Sequence, residues 1–320
     1  MKISIVVPVY NVQDYLHYAM ESLFQQTHSD YEVILVNDGS TDESGRLCQD
    51  YADQYEQVFY YSKPNGGLSD ARNFGVAQAT GDWVTFLDPD DYLEPYSLEL
   101  MLALQARYQA DLVSTKVAPT KAYNAYSGYS LSESDLELPK LSQAQALAAM
   151  FYNKSATVSA CGKLYRKSML LAHPFPVGKI YEDFFVVGQH VLASSKVVVS
   201  PLVTYHYYQR PGSIVNSGFN QKQYDYFQAV EANRQLIEEF GSEAPTVATA
   251  LDIKCVAGAF RIVHLMANAG EKEGIQKVRA WLAPYKKQVM ASQQVSLQFK
   301  IKYLLFLYAT PLYLKIRRQD

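Results

Sequence analysis

At 320 residues, with 48% hydrophobic and 19% charged side chains, the chain can bury a sizeable core, which excludes disordered and fibrous classes. A formal net charge of −3 gives no general field to gather nucleic acid, so phosphate recognition has to be local and no nucleic-acid partner is expected. Three cysteines, Cys48, Cys161 and Cys255, are odd in number and lack paired zinc spacing, so packed, reduced thiols are expected.

The chain opens MKISIVVPVYN, an apolar run too short for a signal peptide and closed by proline; it reads as a first buried strand over residues 3–9. With no disulfide framework either, the catalytic part is expected in the cytoplasm. Further short, β-branched or aromatic runs at residues 31–36, 58–62, 83–87 and 111–116 read as strands. Between them, residues 14–26, 43–55, 68–79 and 96–107 place apolar side chains at helical spacing. This alternation implies an α/β fold with a mostly parallel central sheet and helices on both faces, where ligands bind beyond the carboxyl ends of the strands.

Polar groups gather at those ends. Pro8-Val9-Tyr10-Asn11 follows the first strand, Asn37-Asp38-Gly39-Ser40-Thr41-Asp42 the second and Asp88-Pro89-Asp90-Asp91 the fourth. Ser40 with Glu43 reads as a capping box for the second helix. Residues 118–140 lose all periodicity and read as a loop or mobile insert over the site. A helix near residues 143–152 and a strand near 203–209 follow, and beyond residue 221 the pattern is helical. The expected division is a domain over residues 1–220, in halves 1–116 and 117–220, and a helical region over 221–320. In the tail, near residues 295–318, an apolar stretch from Tyr303 to Leu314 is interrupted by Pro311 and flanked by Lys300, Lys302, Lys315, Arg317 and Arg318. It falls short of the roughly 20 residues that span a bilayer. It reads either as a helix in the membrane interface or as one docked on the domain.

Asp88, Asp90 and Asp91 put three carboxylates in four residues, which a hard divalent ion such as Mg²⁺ or Mn²⁺ would relieve; the same residues also make good turn chemistry. Asp38, at the mouth of a strand, is placed as an exposed acceptor for a base or ribose. The glycine turn at Asn65-Gly66-Gly67 leads into a helix carrying Arg72, an anion-binding edge or an ordinary turn. Glu182 and Asp183 sit among aromatics, where burial raises an acid toward a general base's range, unless Lys163 or Lys179 pairs with them. His206 reads as an ion ligand or as a packed side chain.

The motifs VVPVYN, VNDGSTD, GGLSDARN and LDPDD, in this order between Val6 and Asp91, resemble the nucleotide-sugar-binding half of glycosyltransferase family 2, whose fold is called GT-A. The resemblance implies an inverting glycosyltransferase that uses a UDP-sugar donor and Mn²⁺ or Mg²⁺. Pro8, Tyr10 and Asp38 would hold the uracil side, Asp88 would face the ribose or the ion, and Asp90 would ligate the metal, with Asp91 as a secondary candidate. Asp70 departs from the small residue many relatives carry in the third motif. The acid pair is similar to the family's Glu-Asp motif, which makes Asp183 the catalytic base. The stretch Tyr205 to Ile214 resembles a final motif in which Arg210 and Ser213 clasp the diphosphate. Cys161 to Arg166, including Lys163, resembles the segment before the Glu-Asp motif in capsule and teichoic-acid relatives. A saccharide acceptor, lipid-linked and reached from the inner face of the cell membrane, is the expected partner. A nucleotidyltransferase and a non-catalytic scaffold of a polysaccharide assembly are the competing readings; the first lacks its glycine-rich basic loop after the first strand.

Overall fold

A computed structural model describes residues 1–123, 125–209 and 218–317. It divides into two compact units, Met1–Arg210 and Pro211–Asp320.

The first unit is built on an eight-stranded sheet of order β3-β2-β1-β4-β7-β6-β8-β5. Strands β1 (Ile3–Val9), β2 (Tyr31–Asn37), β3 (Val58–Ser62) and β4 (Trp83–Phe86) run parallel, joined through helices α1 (Leu16–Phe24), α2 (Ser44–Gln54) and α3 (Leu68–Gln78). β1 and β2 are buried at every position, as strands rich in valine and isoleucine in a covered parallel sheet should be. α3 lies close on the sheet: a Cβ at Gly75 would come within 2.4 Å of a Val6 methyl. Pro8 fits inside β1 because the ladder to β4 ends at Val6, whose carbonyl accepts from Leu87. Two residues on, the missing N–H of Pro8 faces that same, already unpaired side.

Beyond β4 antiparallel pairings join the sheet, which stays mostly parallel as expected. β5 (Tyr92–Leu93), α4 (Ser97–Tyr108), β6 (Leu112–Thr120), α5 (Gln143–Tyr152), β7 (Lys163–Arg166), α6 (Lys167–Ala172), α7 (Glu182–Ala193) and β8 (Val197–Tyr208) complete the unit. β7 is antiparallel to both β4 and β6, and β5 is antiparallel to β8, while β6 and β8 run parallel. β8 begins six residues before the expected start at Val203, and β6 runs on to Thr120. The stretch read as a structureless insert is pinned in places. A 3-10 turn at Glu133–Leu136 carries a capping box from Ser132, and Tyr108 bonds to the carbonyls of Leu136 and Leu138. The capping box expected from Ser40 and Glu43 does not form. Ser40 Oγ instead accepts from the Asn11 amide, and Asp42 accepts from Ser44 N–H at 3.0 Å.

The second unit is helical: α8 (Asp225–Arg234), α9 (Ala244–Asn268), α10 (Lys272–Leu282), α11 (Lys286–Ala291), α12 (Leu297–Tyr308) and α13 (Thr310–Arg317). α9 supplies its core, and Phe260 meets the rings of Phe299, Phe306 and Tyr313. The tail's inner face therefore docks, with Tyr303 buried and donating to the Leu282 carbonyl. No helix among the described residues is long and apolar enough to cross a membrane. Cys48, Cys161 and Cys255 are free and buried.

Candidate functional site

The ends of β1 and β2 are tied together by asparagines. Asn11, in the left-handed region at φ 51°, accepts from Thr41 N–H, while Asn37 accepts from Ser40 N–H and donates to Tyr60. Tyr10 stands out beside them, 50% exposed, whereas Pro8 is buried in the strand end.

Asp38 is not the exposed carboxylate the sequence implied. It is buried, and its two oxygens accept from Lys63 Nζ (2.6 Å), Gly66 N–H (2.9 Å) and Gly67 N–H (2.7 Å). It fixes the glycine turn ahead of α3, where Gly67 takes φ 86°, a conformation that glycine adopts without steric cost. Asp70, the unusual residue of that motif, completes the arrangement by pairing with Lys63 at 2.5 Å. Lys63 was missed from sequence; its only signal is a lysine directly before the turn.

Arg72 is the centre of the site. It is 2% exposed, lies against the rings of Phe86 and Phe175, and its guanidinium divides between Glu182 (2.6 Å) and Asp88 (2.9 Å). A planar fork suits this, since its two terminal nitrogens can reach different carboxylates. Asn73 secures one ring wall through a reciprocal pair of bonds with the Phe175 backbone. Burial disfavours the charge on Arg72, but Asp88, Glu182 and the more distant Asp183 hold its pKa well above the usual value.

After β4 the three aspartates part company. Asp88 and Asp90 remain half-buried, but Asp91 is enclosed, accepting from Tyr205 Oη (2.6 Å) and Tyr208 N–H (2.8 Å). This corrects its reading as a secondary ion ligand: it locks the turn onto β8. Its carboxyl is pushed well up, first by burial and then by the charges of Asp88 and Asp90. Tyr205 also accepts from Asp88 N–H. Tyr123, from the supposed insert, stacks between Tyr18 (3.8 Å) and Tyr208 (4.0 Å) and donates to the Asp90 carbonyl. His206 bonds to Glu94 at 2.8 Å and stacks on Tyr92, so it packs rather than ligates.

The acid pair opens α7. Tyr181 ahead of it sits at φ 61°, a strained position for a bulky residue, of order ~1–3 kcal/mol. Glu182 is buried, and desolvation raises its carboxyl to about 7 in spite of Arg72, with Asp183 pushing the same way. Asp183 is half-buried and accepts from Phe184 N–H in the first turn. Lys163, weighed as a partner for this pair, donates to the carbonyls of Thr157 and Ser159. Lys179 lies over the Phe185 ring at 5.8 Å. Cys161 is buried here too, and its thiol is pushed well up by burial and by Asp88, which keeps it protonated and poorly nucleophilic. Arg210 and Ser213 lie outside the described residues.

Asp88 and Asp90 suit a hard divalent ion that takes two carboxylates and fills its shell with phosphate and water oxygens. No group of three or more metal-ligating side chains occurs among the described residues, so such an ion would have to complete its shell with oxygens from water or a ligand.

Residues 4–172 match the profile of glycosyl transferase family 2. The glycosyltransferase GlyA of Streptococcus pneumoniae serotype 4 is 35% identical over 217 residues, which is 67% of this chain but only 31% of GlyA, so the match spans about a third of that relative's length. GlyG of the same organism is 28% identical over 83% of this chain and 87% of its own. The crystal structure of Staphylococcus aureus TarS 1–349 in complex with UDP-GlcNAc superposes with a TM-score of 0.67 at 20% identity, over 98% of this chain and 92% of that one, which shows a shared fold. With the family profile covering more than half of its length, the chain belongs to glycosyltransferase family 2.

Proposed function

We propose that the chain transfers a hexose or N-acetylhexosamine from a UDP-sugar to a hydroxyl of a saccharide acceptor, with inversion, in the assembly of a bacterial cell-surface polysaccharide or glycoconjugate. The observation that carries this reading is the fork of Arg72, which joins the Asp88 turn to the helix start that bears Glu182 and Asp183. It supports a base and a diphosphate-side acid cluster acting on one ligand.

Asp183 takes the proton of the acceptor hydroxyl as its oxygen bonds to the anomeric carbon. The bond from that carbon to the diphosphate oxygen breaks on the opposite face, which inverts the centre. Tyr10 lies against the uracil, and Asp38 shapes the glycine turn around it. Asp88 and Asp90 would hold Mn²⁺ or Mg²⁺, which supplies positive charge against the leaving diphosphate. Arg210 and Ser213, assigned by sequence alone, clasp that diphosphate. Catalysis resides in the first unit, and the chain works at the inner face of the cell membrane on a lipid-linked acceptor. UDP release from a panel of UDP-glucose, UDP-galactose and their N-acetylamino counterparts, with Mn²⁺ or Mg²⁺ and lipid-linked saccharides, tests this. Absence of release from every donor would refute it.

A further inference from the structure

The tail has two apolar faces, and only one is used. In α12 the residues Tyr303, Phe306 and Leu307 are buried in the second unit, while Leu297, Ile301, Leu304 and Tyr308, at helical spacing, form an outer stripe. Leu297 is 72% and Tyr308 69% exposed, and Leu312 and Ile316 of α13 are exposed as well. Tyr308 is met by Lys286, which donates to its hydroxyl, and the rest of this exposed apolar stripe marks an interaction surface.

Charge identifies what the surface meets. Between Glu273 and Asp320 the sequence holds nine lysines and arginines and not one acid, in a chain whose net charge is −3. α10 and α13 enclose a groove of about 300 Å³, apolar along Ile275, Pro311 and Leu314 and edged by Lys272 and Arg279. The nearby acids are already engaged: Glu271 caps Gly274 N–H and Glu273 pairs with Lys277. Lys272 and Arg279 have no ion-pair partner among the described residues.

We infer that the face formed by α10, α12 and α13 docks on an anionic lipid bilayer, with the apolar stripe entering the interface and the α10–α13 groove taking the phosphate and upper acyl segment of an anionic phospholipid. This deepens the peripheral placement proposed above by naming the surface and the lipid charge, and it does not depend on the donor or the reaction. A second copy of the chain is the competing occupant, but two such predominantly basic faces would repel one another.

Flotation of the full chain with vesicles of phosphatidylcholine alone, or mixed with an equal amount of phosphatidylglycerol, tests the inference. Binding is expected only to the anionic vesicles, weakening as salt is raised. Replacing both groove cations, Lys272→Glu with Arg279→Glu, should lower the partition coefficient at least about 25-fold, from roughly fivefold per cation at an anionic surface. Leu312→Glu with Ile316→Glu should abolish binding while leaving the melting temperature and the UDP affinity in solution unchanged. Equal binding to neutral and anionic vesicles, indifference to the groove substitutions, or a dimer in light scattering that the Leu312 and Ile316 substitutions dissolve would each overturn it. UDP binding measured on the same protein reads the glycosyltransferase assignment separately, so either can fail alone.

Discussion

Replacing Arg72 by alanine tests the centre of the site. The guanidinium is the charge partner of Glu182 at 2.6 Å and of Asp88 at 2.9 Å. Asp88 is half-buried and can hydrate when its partner goes, whereas Glu182 is enclosed and cannot. Breaking a buried pair from one side typically costs about 3–5 kcal/mol, because the remaining charge is left desolvated. The loss should depend on pH, with a sign that follows from Glu182. Its folded pKa of about 7 lies above the ordinary 4.5, so its contribution is fully present below pH 4.5 and is lost as pH rises through 7, on the order of 3 kcal/mol in all. Without Arg72, whose charge holds that value down, the loss extends to higher pH. The deficit of Arg72→Ala against the parent, which includes a packing loss at every pH, should therefore be smaller near pH 5 than at pH 8. Adding Glu182→Gln should recover about 1–3 kcal/mol at pH 8, as coupled neighbours do. The two tryptophans make the assay local, since Trp83 lies in the first unit and Trp281 in the second. In a Trp281→Phe background, urea unfolding followed by fluorescence reports the first unit alone. A deficit below about 1 kcal/mol at pH 8, a deficit independent of pH, or strict additivity with Glu182→Gln would refute the coupling.

Asp183→Asn should lower turnover by roughly 10²–10⁴ while UDP binding by calorimetry stays near that of the parent, and a variant keeping most of its activity would remove Asp183 from the base position. Asp90→Asn should weaken UDP binding in the presence of Mn²⁺ and have little effect without it; an equal loss in both conditions argues for a purely structural aspartate. Away from the site, burial pushes the Glu32 carboxyl up, but hydrogen bonds from Lys2, Ser4 and Thr80 outweigh it and bring it to about 2. That group's stabilisation, on the order of 3 kcal/mol, is present above pH 4.5 and lost as pH falls through 2. Glu32→Gln should thus be less stable than the parent at pH 7, with the gap closing on acidification, as read from Trp83 fluorescence.

The parallel half of the fold was readable because its order is local. β1 and β2 announce themselves as short runs rich in valine and isoleucine, and α5 runs over Gln143–Tyr152 as expected because Ser142 and Gln145 form its capping box. β7 carries no such signal: its four residues, Lys-Leu-Tyr-Arg, are a strand only because β4 and β6 lie on either side. The site shows the same limit. Glu182 and Arg72 stand 110 residues apart, so no spacing rule joins them. Asp88, Asp90 and Asp91 look equivalent along the chain, and only the arrival of Tyr205 and Tyr208 on β8 separates the third from the others. The family motifs single out these stretches, but not which of their acids face inward.

That inward or outward choice divides the labour among the carboxylates. Asp38 and Asp91 have their oxygens occupied by backbone amides, Lys63 and Tyr205, and Glu182 is bound to a buried arginine. Each fixes the position of a turn or helix start, at a desolvation cost that its hydrogen bonds offset. Asp88, Asp90 and Asp183 lie directly beside these anchors and retain partial exposure. An acid meant to meet a ligand needs both properties, a backbone held within a fraction of an ångström and an oxygen still accessible. Neighbouring residues supply the two separately here: Glu182 fixes where Asp183 points, and Asp91 fixes the turn that presents Asp88 and Asp90. Substituting an anchor should therefore blur the geometry of its exposed neighbour and depress turnover and donor binding together, whereas substituting the exposed acid should affect one step and spare the fold.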